Sequence, residues 1–177
     1  MAPTEKLLSE LPNVINQMDV KQAIITPTVA KLVQPEEVLG LEHLIVGGEP
    51  LTSDTVEKWT PSRKLHNVYG PTETSMVVTT KDVQANDNPH NVGKPFDSVV
   101  AVIMNRDGTD LVPYGAVGEL CVAGPQLAEG YVNNDEATNA AFTSCERLGI
   151  DRMYKTGDLA RWYPGKSLNF IGRDQNY

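Results

Sequence analysis

Chemistry concentrates first in the octet Asn67-Val68-Tyr69-Gly70-Pro71-Thr72-Glu73-Thr74, which directly follows an apolar run. A planar aromatic, a tight Gly-Pro turn, a hydroxyl and a carboxylate stand there within one short loop. An aromatic face can stack on a base, a hydroxyl can donate to a phosphate oxygen, and a carboxylate can hold Mg²⁺. A plain turn would need only the Gly and the Pro. The octet therefore reads as a place to hold a nucleoside triphosphate.

The second candidate is Tyr154-Lys155-Thr156-Gly157-Asp158-Leu159. A strand delivering Asp158 just after a glycine could offer one carboxylate to the paired hydroxyls of a ribose. Alone it reads first as an Asp in a hairpin turn; beside the octet the balance reverses toward the ribose. Arg173, in Gly172-Arg173-Asp174, has a fork suited to phosphate or ribose oxygens, but alone it reads first as a solvated charge at a strand end. Gly165-Lys166-Ser167 is not a P-loop, because the required first glycine is Ala160 and the Lys-Ser leads into a strand. His43, His66 and His90 are far apart and lack ligand spacing with either cysteine, and no G-x-S-x-G elbow exists.

Strands and helices must position these groups. Leu7, Leu8, Leu11, Val14, Ile15 and Met18 recur at roughly helical spacing, interrupted by Pro12. Ala23–Ile25 reads as a short buried strand, and Thr26-Pro27 as an N-cap followed by proline in a first helical turn. A strand over His43–Val46 runs into Gly47-Gly48-Glu49-Pro50. A helix carrying Val56 and Trp59 follows, and then a strand from Lys64 to Val68 leads into the octet. Strand–helix–strand order implies a parallel sheet with crossover helices, whose ligands sit beyond the carboxyl ends of the strands. After the polar connector Gln84–Pro89, short strands alternate with turns: Val99–Met104, Glu119–Ala123, Met153–Lys155, Ala160–Tyr163 and Leu168–Ile171, with one helix near Glu136–Phe142. The expected fold is α/β: a partial parallel sheet over residues 1–83, then a small antiparallel, barrel-like part over 84–177.

The 177 residues are 40% hydrophobic and 21% charged, with a formal charge of −8. That is an ordinary globular composition, and its acidity disfavours duplex nucleic acid or an anionic membrane as partner. Two cysteines make no disulfide framework. The longest apolar run is too short to span a bilayer, and no secretory leader or N-x-Ser/Thr acceptor is present. A cytoplasmic location is the expectation.

With these motifs in order, the chain resembles the adenylate-forming enzymes, and specifically the adenylation domains of nonribosomal peptide synthetases. The resemblance runs through Leu44–Leu51, Asn67–Glu73, Gly118-Glu119-Leu120-Cys121-Val122-Ala123-Gly124, Tyr154–Leu159 and Phe170-Ile171-Gly172-Arg173. It implies that Tyr69 stacks on adenine, with Gly48, Glu49 and Asn67 lining the same slot. Thr72 would meet the α-phosphate, Glu73 would hold Mg²⁺, and Asp158 would bind the ribose, helped by Arg173, with Phe170 beside the nucleotide. Ile24, Ile45, Gly47, Val68, Met76 and Val77 would face the amino-acid side chain; all are apolar or lack a side chain, so an apolar amino acid is expected. The chemistry implied is ATP-dependent formation of an aminoacyl-AMP, passed on to the phosphopantetheine of a carrier protein.

Departures stand beside these matches. The family's phosphate loop and its Phe-Asp motif belong upstream of this sequence, and its hinge and catalytic lysine downstream. Asp174 follows Arg173 directly, where the family has one residue between Arg and the hinge Asp. Glu129 replaces a usual arginine before Gly130-Tyr131. The resemblance thus implies the second half of a large N-terminal subdomain, inactive alone. Competing readings are a non-catalytic nucleotide-binding or interaction remnant and a fragment of an acyl-CoA synthetase-like ligase.

Overall fold

The computed structural model describes residues 10–173. Leu7, Leu8 and Asp174, which the sequence reading uses, lie outside the described residues. The chain divides into two compact units, residues 1–68 with 81–89, and residues 69–80 with 90–177.

The first unit is α/β. Its strands β1 (Gln22–Ile25), β2 (His43–Gly47) and the body of β3 (Lys64–Tyr69) pair in parallel, in the order β1-β2-β3. Helix α1 (Leu11–Gln17) begins with Pro12 in its first turn. That placement corrects the expected interruption: a proline there sacrifices an N–H that has no helical partner anyway. Helix α2 (Pro27–Leu32) is capped by Thr26, whose Oγ1 accepts from Val29 N at 3.4 Å. Helix α3 (Ser53–Trp59) completes the layer. Alternation along the strands points Leu44, Val46 and Leu65 into one core with Ala30, Val33, Val56 and Trp59. Trp59 is fully buried, and its indole N–H donates to Ala30 O at 3.1 Å. Strand β1 is not buried as expected. Ile24 is 65% exposed, because among the described residues β1 pairs only with β2 and only one sheet face is covered.

The second unit is mostly antiparallel β. Its strands are β4 (Thr79–Val83, entering this unit through Thr79 and Thr80), β5 (Asn91–Pro95), β6 (Val100–Met104), β7 (Gly118–Ala123), β8 (Phe142–Cys145), β9 (Ile150–Tyr163) and β10 (Ser167–Arg173). They follow the order β4-β5-β10-β9-β7-β6, with β8 on β9. The sheet is open rather than closed into a barrel. Helix α4 (Asp135–Ala141) is capped by Asn134. Strand β7 is buried on both faces: Leu120 and Val122 join one cluster with Ile103, Ala160 and Leu168, while Cys121 and Ala123 join another with Met104, Cys145 and Met153. Two-sided burial is why Leu120–Ala123 is apolar at every position. The two strands expected over Met153–Lys155 and Ala160–Tyr163 are one fourteen-residue strand. A bulge at Thr156–Asp158, where the pairing register shifts, hides that continuity in the sequence.

Candidate active site

The octet lies at the end of β3. Tyr69 is its last strand residue, Thr72–Thr74 form a 3-10 turn, and Ser75 and Met76 take positive φ, 57° and 78°. Val78 N donates to Tyr69 O at 2.8 Å, so the loop doubles back on its own first residue. Within the second unit this loop meets the bulge of β9. Thr156 Oγ1 donates to Leu120 O at 2.7 Å and accepts from Asp158 N at 3.0 Å, while Gly157 N donates to Glu119 Oε1 at 3.1 Å. Gly157 has φ of 69°, a left-handed conformation that favours glycine. Those bonds fix the bulge and so aim Asp158.

The result is a direct contact. Tyr69 Oη donates to Asp158 Oδ2 at 2.7 Å, across 89 residues of sequence. The Tyr69 ring is tilted 40° against Phe170, with ring centroids 6.0 Å apart. Arg173 pairs with Asp158 in the β9–β10 ladder, and its guanidinium lies beside Gly157. Burial pushes the Asp158 carboxyl above its ordinary range, and the Tyr69 donation and the Arg173 charge oppose that only in part. Burial likewise raises the Tyr69 phenol, which stays a donor. The set offers an aromatic ring and a carboxylate with one oxygen, Oδ1, not used by Tyr69.

Glu73 is half-buried and Thr72 exposed. Tyr131 Oη donates to Glu73 Oε1 at 2.6 Å and stands 3.5 Å from Tyr154 Oη. Partial burial works against charge on Glu73, but the Tyr131 hydroxyl, backbone donation and Arg173 outweigh it and hold the carboxyl below its ordinary value of 4.5. The sign follows from linkage. The stabilisation is complete above pH 4.5 and is lost as pH falls through the lowered folded-state value. The melting temperature of the wild type should therefore exceed that of Glu73→Gln at pH 7, and the gap should close below pH 4.5. A gap unchanged down to pH 3, by calorimetric melts, would mean the Glu73 charge contributes nothing.

Magnesium fits what is present. Among the described residues no group of three or more His, Cys, Asp or Glu side chains could hold a metal. Mg²⁺ commonly uses one or two carboxylates and takes its remaining ligands from water and substrate phosphates, which the single carboxylate of Glu73 matches.

The remaining candidates lie as follows. In the first unit Gly48 and Glu49 follow β2, and Glu49 Oε2 accepts from Thr28 N at 3.0 Å; hydrogen bonds from the Thr28 side chain and backbone lower the Glu49 pKa. Asn67 is buried on β3. Ile24, Ile45 and Val68 share the sheet face opposite the core, and a Cβ at Gly47 would stand 2.7 Å from Val68 Cγ2. Met76 and Val77 belong to the second unit, Met76 being 69% exposed.

Two groupings escaped the sequence reading. Tyr131 on Glu73 is one. The other is in the first unit, where His43 Nδ1 lies 3.0 Å from His66 Nε2 and His66 Nδ1 lies 2.7 Å from Asp82 Oδ1. Strand register brings these histidines side by side, and sequence spacing carried no signal of it.

Comparison with known proteins accords with this geometry. The AMP-binding enzyme family model matches residues 1–132, and the chain belongs to that family. Over 173 residues it is 49% identical to nonribosomal peptide synthetase sidE of Aspergillus fumigatus, covering 98% of this chain and 8% of that protein. It is 40% identical over 172 residues to nonribosomal peptide synthetase gloA of Glarea lozoyensis, covering 94% of this chain and 2% of that one. The chain thus spans a small part of the curated relatives it matches. Among solved structures, PA1221, an NRPS protein containing adenylation and PCP domains, superposes with a TM-score of 0.83 at 27% identity, covering 94% of this chain and 36% of that one. The fold is that of a nonribosomal peptide synthetase adenylation domain.

Proposed function

We propose that this chain carries the nucleotide-handling strands of an enzyme that activates an amino acid as its aminoacyl-AMP, within a longer polypeptide. The observation that carries the reading is the 2.7 Å contact of Tyr69 with Asp158, which joins the two most specific motifs. Tyr69 and Phe170 supply aromatic surface for adenine, and Asp158 with Arg173 supplies the ribose contacts. Gly48, Glu49 and Asn67 contribute by their place in the family motif. Thr72 donates to the α-phosphate. The substrate carboxylate attacks the α-phosphorus, the bond to the β-phosphate oxygen breaks, and pyrophosphate leaves. Magnesium, held by Glu73, would neutralise charge on the phosphate oxygens. The apolar side chains of Ile24, Ile45, Val68, Met76 and Val77, and the bare backbone of Gly47, support an aliphatic or aromatic amino acid as substrate. Similarity to a protein containing adenylation and PCP domains supports a carrier-protein phosphopantetheine as acceptor. The compartment proposed is the cytoplasm.

Amino-acid-dependent ATP–pyrophosphate exchange tests the reading. The full polypeptide should exchange with one or a few apolar amino acids, and the 177-residue chain by itself should not. AMP binding without exchange, for every amino acid tried, would leave a nucleotide-binding protein that performs no chemistry.

A further inference from the structure

We propose that Tyr131 is a positioning residue for the metal-binding carboxylate, and that the segment Gly124–Tyr131 is a clamp that sets the octet for its cation. The inference rests on the reading of Glu73 as a magnesium ligand.

Three contacts tie the octet and the residue after it to this segment. Tyr131 Oη donates to Glu73 Oε1 at 2.6 Å, Ala128 N donates to Glu73 O at 2.8 Å, and Ser75 Oγ donates to Gln126 O at 2.9 Å. Glu73 is thus held at both its backbone and one carboxylate oxygen, and Ser75 fixes the turn that follows. Tyr131 is itself anchored. Its N–H donates to Thr138 Oγ1 at 2.9 Å, and its ring sits edge-on to Phe142, centroids 6.0 Å apart at 63°. Phe142 packs on Tyr154 at 5.1 Å and lies beneath the Arg152 guanidinium at 4.3 Å, while Arg152 donates to Glu129 O at 2.8 Å. The clamp therefore runs from α4 and β9 into one carboxylate oxygen.

The chemistry of a hard cation makes this useful. Magnesium demands near-ideal octahedral geometry, and a glutamate has three torsions to freeze before it can comply. Donation to Oε1, with the backbone of Glu73 held by Ala128 N, restrains the carboxylate before the ion arrives. A ligand ordered in advance binds without that ordering cost.

The test compares Tyr131→Phe and Glu73→Gln in the full polypeptide, using Mn²⁺ with a non-hydrolysable ATP analogue. Paramagnetic resonance reads metal affinity, and exchange is followed against Mg²⁺ concentration. Tyr131→Phe removes one oxygen and keeps the ring, so a melting temperature within a few degrees of wild type is expected. Mn²⁺ affinity should fall about tenfold, and half-maximal exchange should need about tenfold more Mg²⁺. The maximal rate at saturating Mg²⁺ and the KM for the amino acid should stay within about twofold, a split that a general loss of packing would not produce. If Glu73→Gln weakens Mn²⁺ binding and Tyr131→Phe does not, Tyr131 is ordinary packing and the proposal is overturned. If Glu73→Gln leaves Mn²⁺ affinity intact, Glu73 is not the ligand, and the inference falls with the reading beneath it.

Discussion

Asp158→Ala should lower the affinity for an aminoacyl-adenylate analogue by about a hundredfold. A carboxylate accepting from the two ribose hydroxyls makes two charge-assisted hydrogen bonds, each contributing about 1.5–3 kcal/mol; losing about 3 kcal/mol in all is roughly a hundredfold in Kd. Truncation also strips Tyr69 Oη of its acceptor. That should cost about 1–3 kcal/mol of stability in its own right, so affinity and melting temperature must be measured together. A dideoxyribose analogue separates the two effects. Wild type should bind it as weakly as Asp158→Ala binds the parent compound, and the variant should not discriminate between the analogues. Tyr69→Phe keeps the aromatic face and removes only the donor, so its loss of affinity should be severalfold. Were Asp158→Ala to lose stability while binding both analogues like wild type, the carboxylate would be a structural acceptor for Tyr69 and nothing more.

Gly70→Ala should have the largest effect on the fold of the octet. A Cβ at residue 70 would stand 2.3 Å from Met76 O and 2.7 Å from both Met76 C and Val77 Cα. All three are backbone atoms, so no rotamer change can make room. The crowding exists because Val78 N reaches back to Tyr69 O at 2.8 Å, drawing the two arms of the loop together. Alanine must push them apart, break that bond and release Tyr69 from its place on Asp158. Overpacking costs about 1–3 kcal/mol and the lost bond about 1, so a destabilisation of about 3 kcal/mol is expected in denaturant titrations, with analogue binding lost. A variant within about 0.5 kcal/mol of wild type, the range of a neutral surface change, would show that the loop does not need this close approach.

Much of the local structure was legible. Thr26-Pro27 starts α2 because a hydroxyl at the cap and a proline in the first turn both suit a helix end. The helix carrying Val56 and Trp59 and the strand over Glu119–Ala123 were likewise read close to where they stand. Strands β4, β5 and β8 were not. Thr79-Thr80-Lys81-Asp82, Asn91-Val92-Gly93-Lys94 and Phe142-Thr143-Ser144 are mostly polar, and backbone pairing to neighbouring strands holds them in place of an alternating apolar face. The bulge at Gly157 concealed a continuous β9 for a related reason, since a left-handed residue reads as a turn when its partner strands are not in view.

The sequence by itself determined the chemical vocabulary: an aromatic, a hydroxyl and a carboxylate in one loop, a second carboxylate on a strand, and the order of elements that carries them. Only the tertiary structure decided which group answers which. Tyr69 meets Asp158 across 89 residues, and Tyr131 meets Glu73 across 58. Such pairings are set by strand register, by the two-residue slip between β7 and β9, and by the reversal of a loop on itself. Hydrogen bonds act over about 3 Å, and no local spacing along a chain encodes a separation that small between segments so distant.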